Sequence, residues 1–181
     1  MLLHAAWQEA NIKKRMEHLN ENEQIRDVYA LFGLAVYQAQ CVEREIGILL
    51  TTVHGPGIQK MTRTDYDAML QGEFKKTFGG LITTLRKAAV VPADFDQKLA
   101  DALNKRNWLA HHYFWDRAGH FMTQKGRQMM MKELQEVVDQ FAELDAQITE
   151  TVRAWSEKHG VTQAVIEQEI AKLISDANNS S

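Results

Sequence analysis

The strongest constraint on the fold is a seam of apolar residues in the first third of the chain. The residues of this seam follow one another at alternating steps of three and four positions. They are Ile25, Val28, Phe32, Ala35, Ala39, Val42, Ile46, Leu49 and Val53. Because such steps keep side chains on one face of an α-helix, the pattern predicts a single long helix with one buried side.

A second seam of the same kind occupies the last third of the chain. It consists of Met130, Leu134, Val137, Phe141, Leu144, Ile148, Thr151 and Trp155. Two long helices with matching apolar stripes are expected to pack together, and neither an internal repeat nor strand-like alternation stands out elsewhere. The sequence therefore predicts an all-α helical bundle built on two long helices.

Glycine and proline mark where the other helices begin and end. The stretch from Gly55 to Gly57 predicts a loop. Pro92 suits the first turn of a helix that continues to about residue 117, and Gly119 suits its end. After residue 160 we expect a last helix, followed by a frayed tail from about residue 175.

Length and charge limit the classes of function. The 181 residues are 45% hydrophobic and 25% charged, which is typical of one globular domain over residues 1–181. A net charge of -3 argues against binding polyanions through the overall field of the protein. The sequence has neither a signal-peptide pattern nor a membrane-length apolar run, and the single Cys41 suits a reduced core thiol. A cytoplasmic chain without a membrane segment is expected.

The stretch NKRNWLAHHYFWDR, residues 104–117, carries the most unusual chemistry in the sequence. On a regular helix Arg106 falls on the apolar face, which is unusual because arginine is rarely buried unless it is paired. Its companions on that face are Leu99, Ala102, Leu103, Leu109, Ala110 and Tyr113. Glu43 and Glu45 are both candidate partners, and the alternative is that Arg106 extends to solvent.

The opposite side of the same helix carries Asn104, Trp108, His111 and Trp115. Large apolar groups that point away from the bundle favour a partner surface, so we expect Trp108 and Trp115 to lie in the interface of a homodimer. The alternative is that both indoles lie under a flanking helix of the same chain. His111 and His112 are, by default, ordinary surface residues.

The spacing of these residues resembles the signature of the HEPN (higher eukaryote and prokaryote nucleotide-binding) superfamily. Arg106 and Asn107 are followed after three residues by His111 and after one more by Tyr113, a form similar to HEPN toxins paired with nucleotidyltransferase antitoxins. The resemblance implies a dimeric helical bundle with Arg106, Asn107 and His111 at a shared cleft, and metal-independent cleavage of RNA without a cofactor. It also implies that an antitoxin modifies Tyr113. His112 fits the arginine–histidine spacing as well, so it remains an alternative imidazole or a supporting residue.

The chemistry of RNA cleavage is consistent with that implication. Attack by the 2′-hydroxyl on its own phosphate needs a base, an acid and cationic stabilisation of the phosphorane, which histidine and arginine can supply. On an ideal helix Arg106 and His111 point about 140° apart, so two helices at a two-fold axis would be needed to aim both groups at one phosphate. No spacing typical of metal ligands occurs.

Two other functions remain open on the sequence. The same arginine and histidine would also suit a non-catalytic dimeric interaction module, in which they only order the interface, or a nucleotide-sensing module. Six other basic residues either form an RNA-contacting patch or, as we favour, lie on solvated helix faces. They are Lys75, Lys76, Arg86, Lys87, Lys105 and Arg117.

Overall fold

The computed structural model describes residues 20–54, 62–88 and 93–158, together with positions 167, 171, 174 and 175. Within these ranges the chain forms helices and no strand, which confirms the all-α prediction. The helices are α1 (Glu21–His54), α2 (Arg63–Phe74), α3 (Phe78–Ala88), α4 (Ala93–His111), α5 (Tyr113–Asp116), α6 (Ala118–Phe121) and α7 (Gln124–Lys158). The predicted loop at Gly55, the helix start at Pro92 and the frayed tail beyond residue 175 lie outside the described residues.

The two long helices predicted from the seams are α1, with 34 residues, and α7, with 35 residues. In the first seam Ile25, Phe32 and Val53 are half-buried and all the other members are buried. In the second seam only Thr151 and Trp155 are half-buried. None of the helices in the described ranges is long and apolar enough to cross a membrane.

The contacts of the chain form two compact units, and residues of both long helices belong to each. Unit 1 comprises residues 1–40 and 98–143, and unit 2 comprises residues 41–97 and 144–181. The candidate site lies in unit 1. That residues 1–181 fold as a single domain stays a prediction.

The core of unit 1 combines aliphatic side chains with a group of aromatic rings in tilted and edge-on contact. The Phe32 ring centroid lies 5.7 Å from that of Tyr113 and 4.8 Å from that of Phe114. Tyr29 contacts Phe114 and Phe121 in the same way, at 5.5 and 5.6 Å. The short helices α5 and α6 are therefore held against α1 mainly by their aromatic side chains. The buried aliphatic members are Val28, Leu99, Leu109, Met130, Met131, Leu134, Val137 and Val138, whereas the neighbouring Met129 is exposed.

Unit 1 also buries an arginine that the sequence reasoning missed. Arg127 is only 4% exposed, its Nε donates to Gln24 Oε1 at 3.0 Å, and its Nη1 donates to the carbonyl oxygen of Phe121 at 3.0 Å. Glu21 Oε1 lies 3.3 Å from the same Nη1. Beside it, Gly126 packs so closely on the backbone of His120 that a Cβ would lie 2.0 Å from the carbonyl oxygen. These contacts fix the start of α7 against α6 and the first turn of α1.

Unit 2 has a mostly aliphatic core, and its charged groups have other partners than those of unit 1. Its buried members are Val42, Ile46, Leu49, Leu50, Phe78, Leu81, Ile82, Leu85, Phe95, Leu144 and Ile148. Helix α2 begins with a capping box in which Thr62 and Asp65 satisfy each other's backbone N–H groups. Gly47 on α1 faces the ring of Phe74, over which the Arg44 guanidinium carbon lies 4.7 Å from the centroid.

Two carboxyl groups come close together in unit 2, Glu45 on α1 and Asp145 on α7. Burial raises the pKa of Glu45 and the charge of Asp145 raises it further, while a hydrogen bond with Thr149 and the charge of Arg44 partly offset this. Burial also raises the pKa of Asp145, whose Oδ1 is buried without a hydrogen-bond partner among the described residues. Both carboxyls therefore hold their protons to higher pH than in water.

Candidate functional site

The helix that carries the motif ends earlier than the sequence predicted. Helix α4 stops at His111, and His112 has φ -131° and ψ -22° before α5 begins. Backbone hydrogen bonding continues across this bend, since His112 N donates to Trp108 O and Asp116 N donates to His112 O, both at 2.9 Å. On a straight helix two adjacent side chains point about 100° apart. Here the adjacent residues Tyr113 and Phe114, which follow the bend, both pack on Phe32.

The two histidines of the motif lie at this bend and are open to solvent. Both His111 and His112 are exposed, with ring centroids 6.2 Å apart and ring planes at 70°. His120 on α6 is exposed as well. In the portion of the chain that the structure describes, no three histidine, cysteine or acidic side chains are grouped so that they could hold a metal ion. The arrangement offers two accessible imidazoles for proton transfer.

Arg106 lies at the edge of the apolar face of α4. It is half-buried, between the buried Leu109 and the half-buried Leu103, and its Nη1 donates to Asn107 Oδ1 at 3.3 Å. The helix is regular from Arg106 to His111, so the two side chains remain about 140° apart around the axis and about 7.5 Å apart along it. One copy of α4 therefore does not aim both groups at one point.

Tyr113 is a core residue in this structure. It is 1% exposed, and its hydroxyl donates to the carbonyl oxygen of Met130 at 3.4 Å. Burial raises the pKa of Tyr113 well above its usual value, and the charge of Glu133 adds to the effect. Modification of this hydroxyl by a partner enzyme would require Tyr113 to leave its place between α1 and α7, so that role stays a prediction of the resemblance alone.

The two tryptophans differ in their surroundings. Trp115 is 85% exposed. Trp108 is half-buried, and its Nε1 donates to Asp116 Oδ2 at 2.9 Å. The ring of Trp108 meets Tyr113 edge-on at 4.9 Å, and the guanidinium carbon of Arg117 lies 5.1 Å from its centroid. Trp115 is thus accessible to a partner, while Trp108 is engaged within its own chain.

Arg117 links this group to α7 through an ion pair that the sequence did not reveal. Its Nε and Nη2 donate to the two carboxylate oxygens of Glu133, at 2.8 and 2.6 Å. Both side chains are about one-third exposed or less, and the paired carboxylate raises the pKa of Arg117. Other cations that the sequence considered for an RNA-contacting patch also have partners, since Lys76 pairs with Glu73, Arg86 with Asp96, and Lys105 donates to Gln140.

Comparison of the chain with family models, with curated proteins and with solved structures found no match. The resemblance to the HEPN superfamily accordingly rests on the spacing of residues from Arg106 to Tyr113.

Proposed function

We propose that the protein is a HEPN-like RNA-directed effector, a metal-independent endoribonuclease or toxin that acts at a cleft between two copies of the chain. The observation that carries the proposal is the pair of exposed imidazoles at the bend after α4, about one and a half turns beyond a half-buried arginine. Exposed imidazoles suit acid and base catalysis, and a guanidinium suits an anionic transition state.

In the proposed reaction the imidazole of His111 takes the proton of an RNA 2′-hydroxyl. The oxygen attacks the adjacent phosphorus, the bond from phosphorus to the 5′-oxygen breaks, and an imidazolium returns a proton to that leaving oxygen. Arg106 stabilises the charge on the phosphorane oxygens, and Asn107 orients Arg106 through the hydrogen bond between their side chains. The products are a 2′,3′-cyclic phosphate and a 5′-hydroxyl.

A second copy of the chain completes the proposed site. The divergence of Arg106 and His111 on α4 would be resolved if each phosphate met the arginine of one copy and the imidazole of the other. Trp115 is an exposed anchor suited to such an interface. A nucleotidyltransferase antitoxin is the partner that would fit a toxin of this kind.

Cleavage of a mixed RNA pool in EDTA by the purified protein tests the proposal. His111→Ala and Arg106→Ala should each lower the rate by at least about 100-fold, because each removes a group that acts in the transition state. His112→Ala, the neighbouring exposed imidazole, is the matched control and should have a milder effect. The proposal would be overturned if the wild type did not cleave RNA, or if neither substitution changed the rate of cleavage.

One observation favours a second candidate, a dimeric interaction module without catalysis. The exposed side chains of Trp115 and Met122, at 85% and 77%, suit contact with a protein surface. Such a module would bind its partner with the same affinity after His111→Ala and would not cleave RNA. A nucleotide-sensing role would appear instead as thermal stabilisation by a nucleotide.

A further inference from the structure

The side chain of Trp108 spans the bend that carries the two histidines. Trp108 lies on α4 one turn before His112, and its backbone carbonyl accepts the His112 N–H at 2.9 Å. Its indole N–H reaches past the bend to the Asp116 carboxylate on α5, also at 2.9 Å. One residue of α4 thus bonds both to the position where the helix changes direction and to the helix beyond it.

Two further contacts fix the plane of the indole. Tyr113 meets it edge-on at an interplanar angle of 83°, and Arg117 lies over it. Neither neighbour is free to move, since Tyr113 is buried with its hydroxyl on Met130, and Arg117 is held by both oxygens of Glu133. The indole of Trp108 therefore connects the bend between α4 and α5 to α7. This connection fixes the direction of α5 relative to α4, and with it the placement of His111 and His112.

We propose that Trp108 is a positioning residue for the histidine pair, acting through its hydrogen bond to Asp116. The proposal rests on the function proposed above, because it assigns Trp108 a part in that reaction. Asp116 is exposed, so water can replace the indole as its hydrogen-bond donor and loss of the bond should cost little stability. The same loss removes the link across the bend and lets the imidazoles sample other positions.

Four variants separate positioning from folding. Trp108→Phe keeps a ring between Tyr113 and Arg117 but removes the donor. Asp116→Ala removes the acceptor and leaves every ring in place, whereas Asp116→Asn keeps an acceptor oxygen. Trp155→Phe, at another half-buried tryptophan on α7, is the matched control.

The first readout is the carbon–proton NMR spectrum of the histidine imidazoles, which does not depend on any activity. In Trp108→Phe and Asp116→Ala the signals of His111 and His112 should shift or broaden, while Asp116→Asn and Trp155→Phe should leave them in place. Because Asp116→Ala keeps the indole of Trp108, a shift of the imidazole signals in this variant cannot come from the loss of the indole ring current. Unchanged imidazole signals in both Trp108→Phe and Asp116→Ala, with the fold intact, would overturn the proposal.

The second readout is the kinetics of RNA cleavage. Trp108→Phe and Asp116→Ala should lower kcat by about tenfold with KM nearly unchanged, and Asp116→Asn should restore the wild-type kcat. A kcat that is unchanged while the imidazole signals move would overturn the catalytic part of the proposal. If the wild type cleaves no RNA, the proposed function fails, and the NMR result alone supports or overturns the link across the bend.

Discussion

Unit 1 and unit 2 each contain part of both long helices, yet the enclosed ionisable groups of the two units have different surroundings. In unit 1 the enclosed cations meet acceptors: Arg127 bonds to Gln24 and to a carbonyl, and Arg117 pairs with Glu133. In unit 2 the carboxyls of Glu45 and Asp145 are half-buried, and the charge of Asp145 raises the pKa of Glu45. Where groups of complementary character are paired, stability falls when one partner is removed. Where two like carboxyls are close, stability depends on whether they are protonated.

The two units also differ in what they expose. Among the described residues, the large apolar side chains that are exposed in unit 1 are Tyr29, Leu34, Tyr37, Trp115, Met122 and Met129, against Ile174 in unit 2. In the part of the chain that the structure describes, unit 1 therefore exposes more large apolar side chains than unit 2, and Trp115 and Met122 are the most exposed of them.

The largest expected effect comes from Gly126→Ala in unit 1. The new Cβ would meet the backbone of His120 at 2.0 to 2.5 Å, so the chain itself must move, and we expect the free energy of unfolding to fall by about 3 kcal/mol. Urea denaturation measures it. Gly47→Ala in unit 2 meets the ring of Phe74 at 2.8 Å, which a side-chain rotation can relieve, so its cost should be about 1 kcal/mol. Equal costs would contradict this contrast.

Next in size is the removal of the buried cation by Arg127→Met. Gln24 and the carbonyl of Phe121 would be left without their donor inside the protein, which should cost about 2 to 3 kcal/mol. Arg86→Met in unit 2 removes the partner of Asp96 at the surface and should leave the unfolding midpoint nearly unchanged. An equal loss in both variants would show that burial of Arg127 does not decide its contribution.

A smaller effect, dependent on pH, is expected from Asp145→Asn in unit 2. Since the folded-state pKa values of Glu45 and Asp145 lie above the ordinary 4.5 and 3.8, the pair favours folding when protonated and loses that contribution as pH rises through the folded values. The variant should therefore gain melting temperature over the wild type as pH increases from acid to neutral. Glu143→Gln, at an exposed carboxyl of α7, is the control and should show no such trend.

The smallest effect on folding is expected from Trp115→Ser. Because the indole is 85% exposed, the free energy of unfolding should change by less than about 0.5 kcal/mol, while the proposed dimer should weaken. Light scattering at tens of micromolar measures the assembly. Trp108→Ser should lower stability instead, since it breaks contacts within the chain. A monomeric wild type would contradict the proposed dimer.

The helices of the bundle were predictable because their signal is local. Steps of three and four residues predicted α1 and α7, and from Val28 to Leu49 every member of the seam except the half-buried Phe32 is buried. A further step of three residues back from Met130 leads to Arg127, which lies on the same buried face. The burial of Arg127 was therefore predictable from the spacing of the seam.

The geometry of the candidate site was less accessible to sequence reasoning. A helical projection assumes a straight axis, so it could not include the bend at His112, beyond which Tyr113, Asp116 and Arg117 contact the indole of Trp108. The partners that hold the site come from other helices: Glu133 follows Arg117 by 16 positions, and Gln24 precedes Arg127 by 103. Only the tertiary packing brings such pairs together.

The run of three methionines in α7 has a consequence for oxidative chemistry. Met129 is 53% exposed, whereas Met130 and Met131 are 1% and 3% exposed. A mild oxidant such as hydrogen peroxide should therefore form the sulfoxide at Met129, and at Met122 with its 77% exposure, well before it reaches the two neighbours. Oxidation would make the outer surface of unit 1 polar while its interior remained chemically intact.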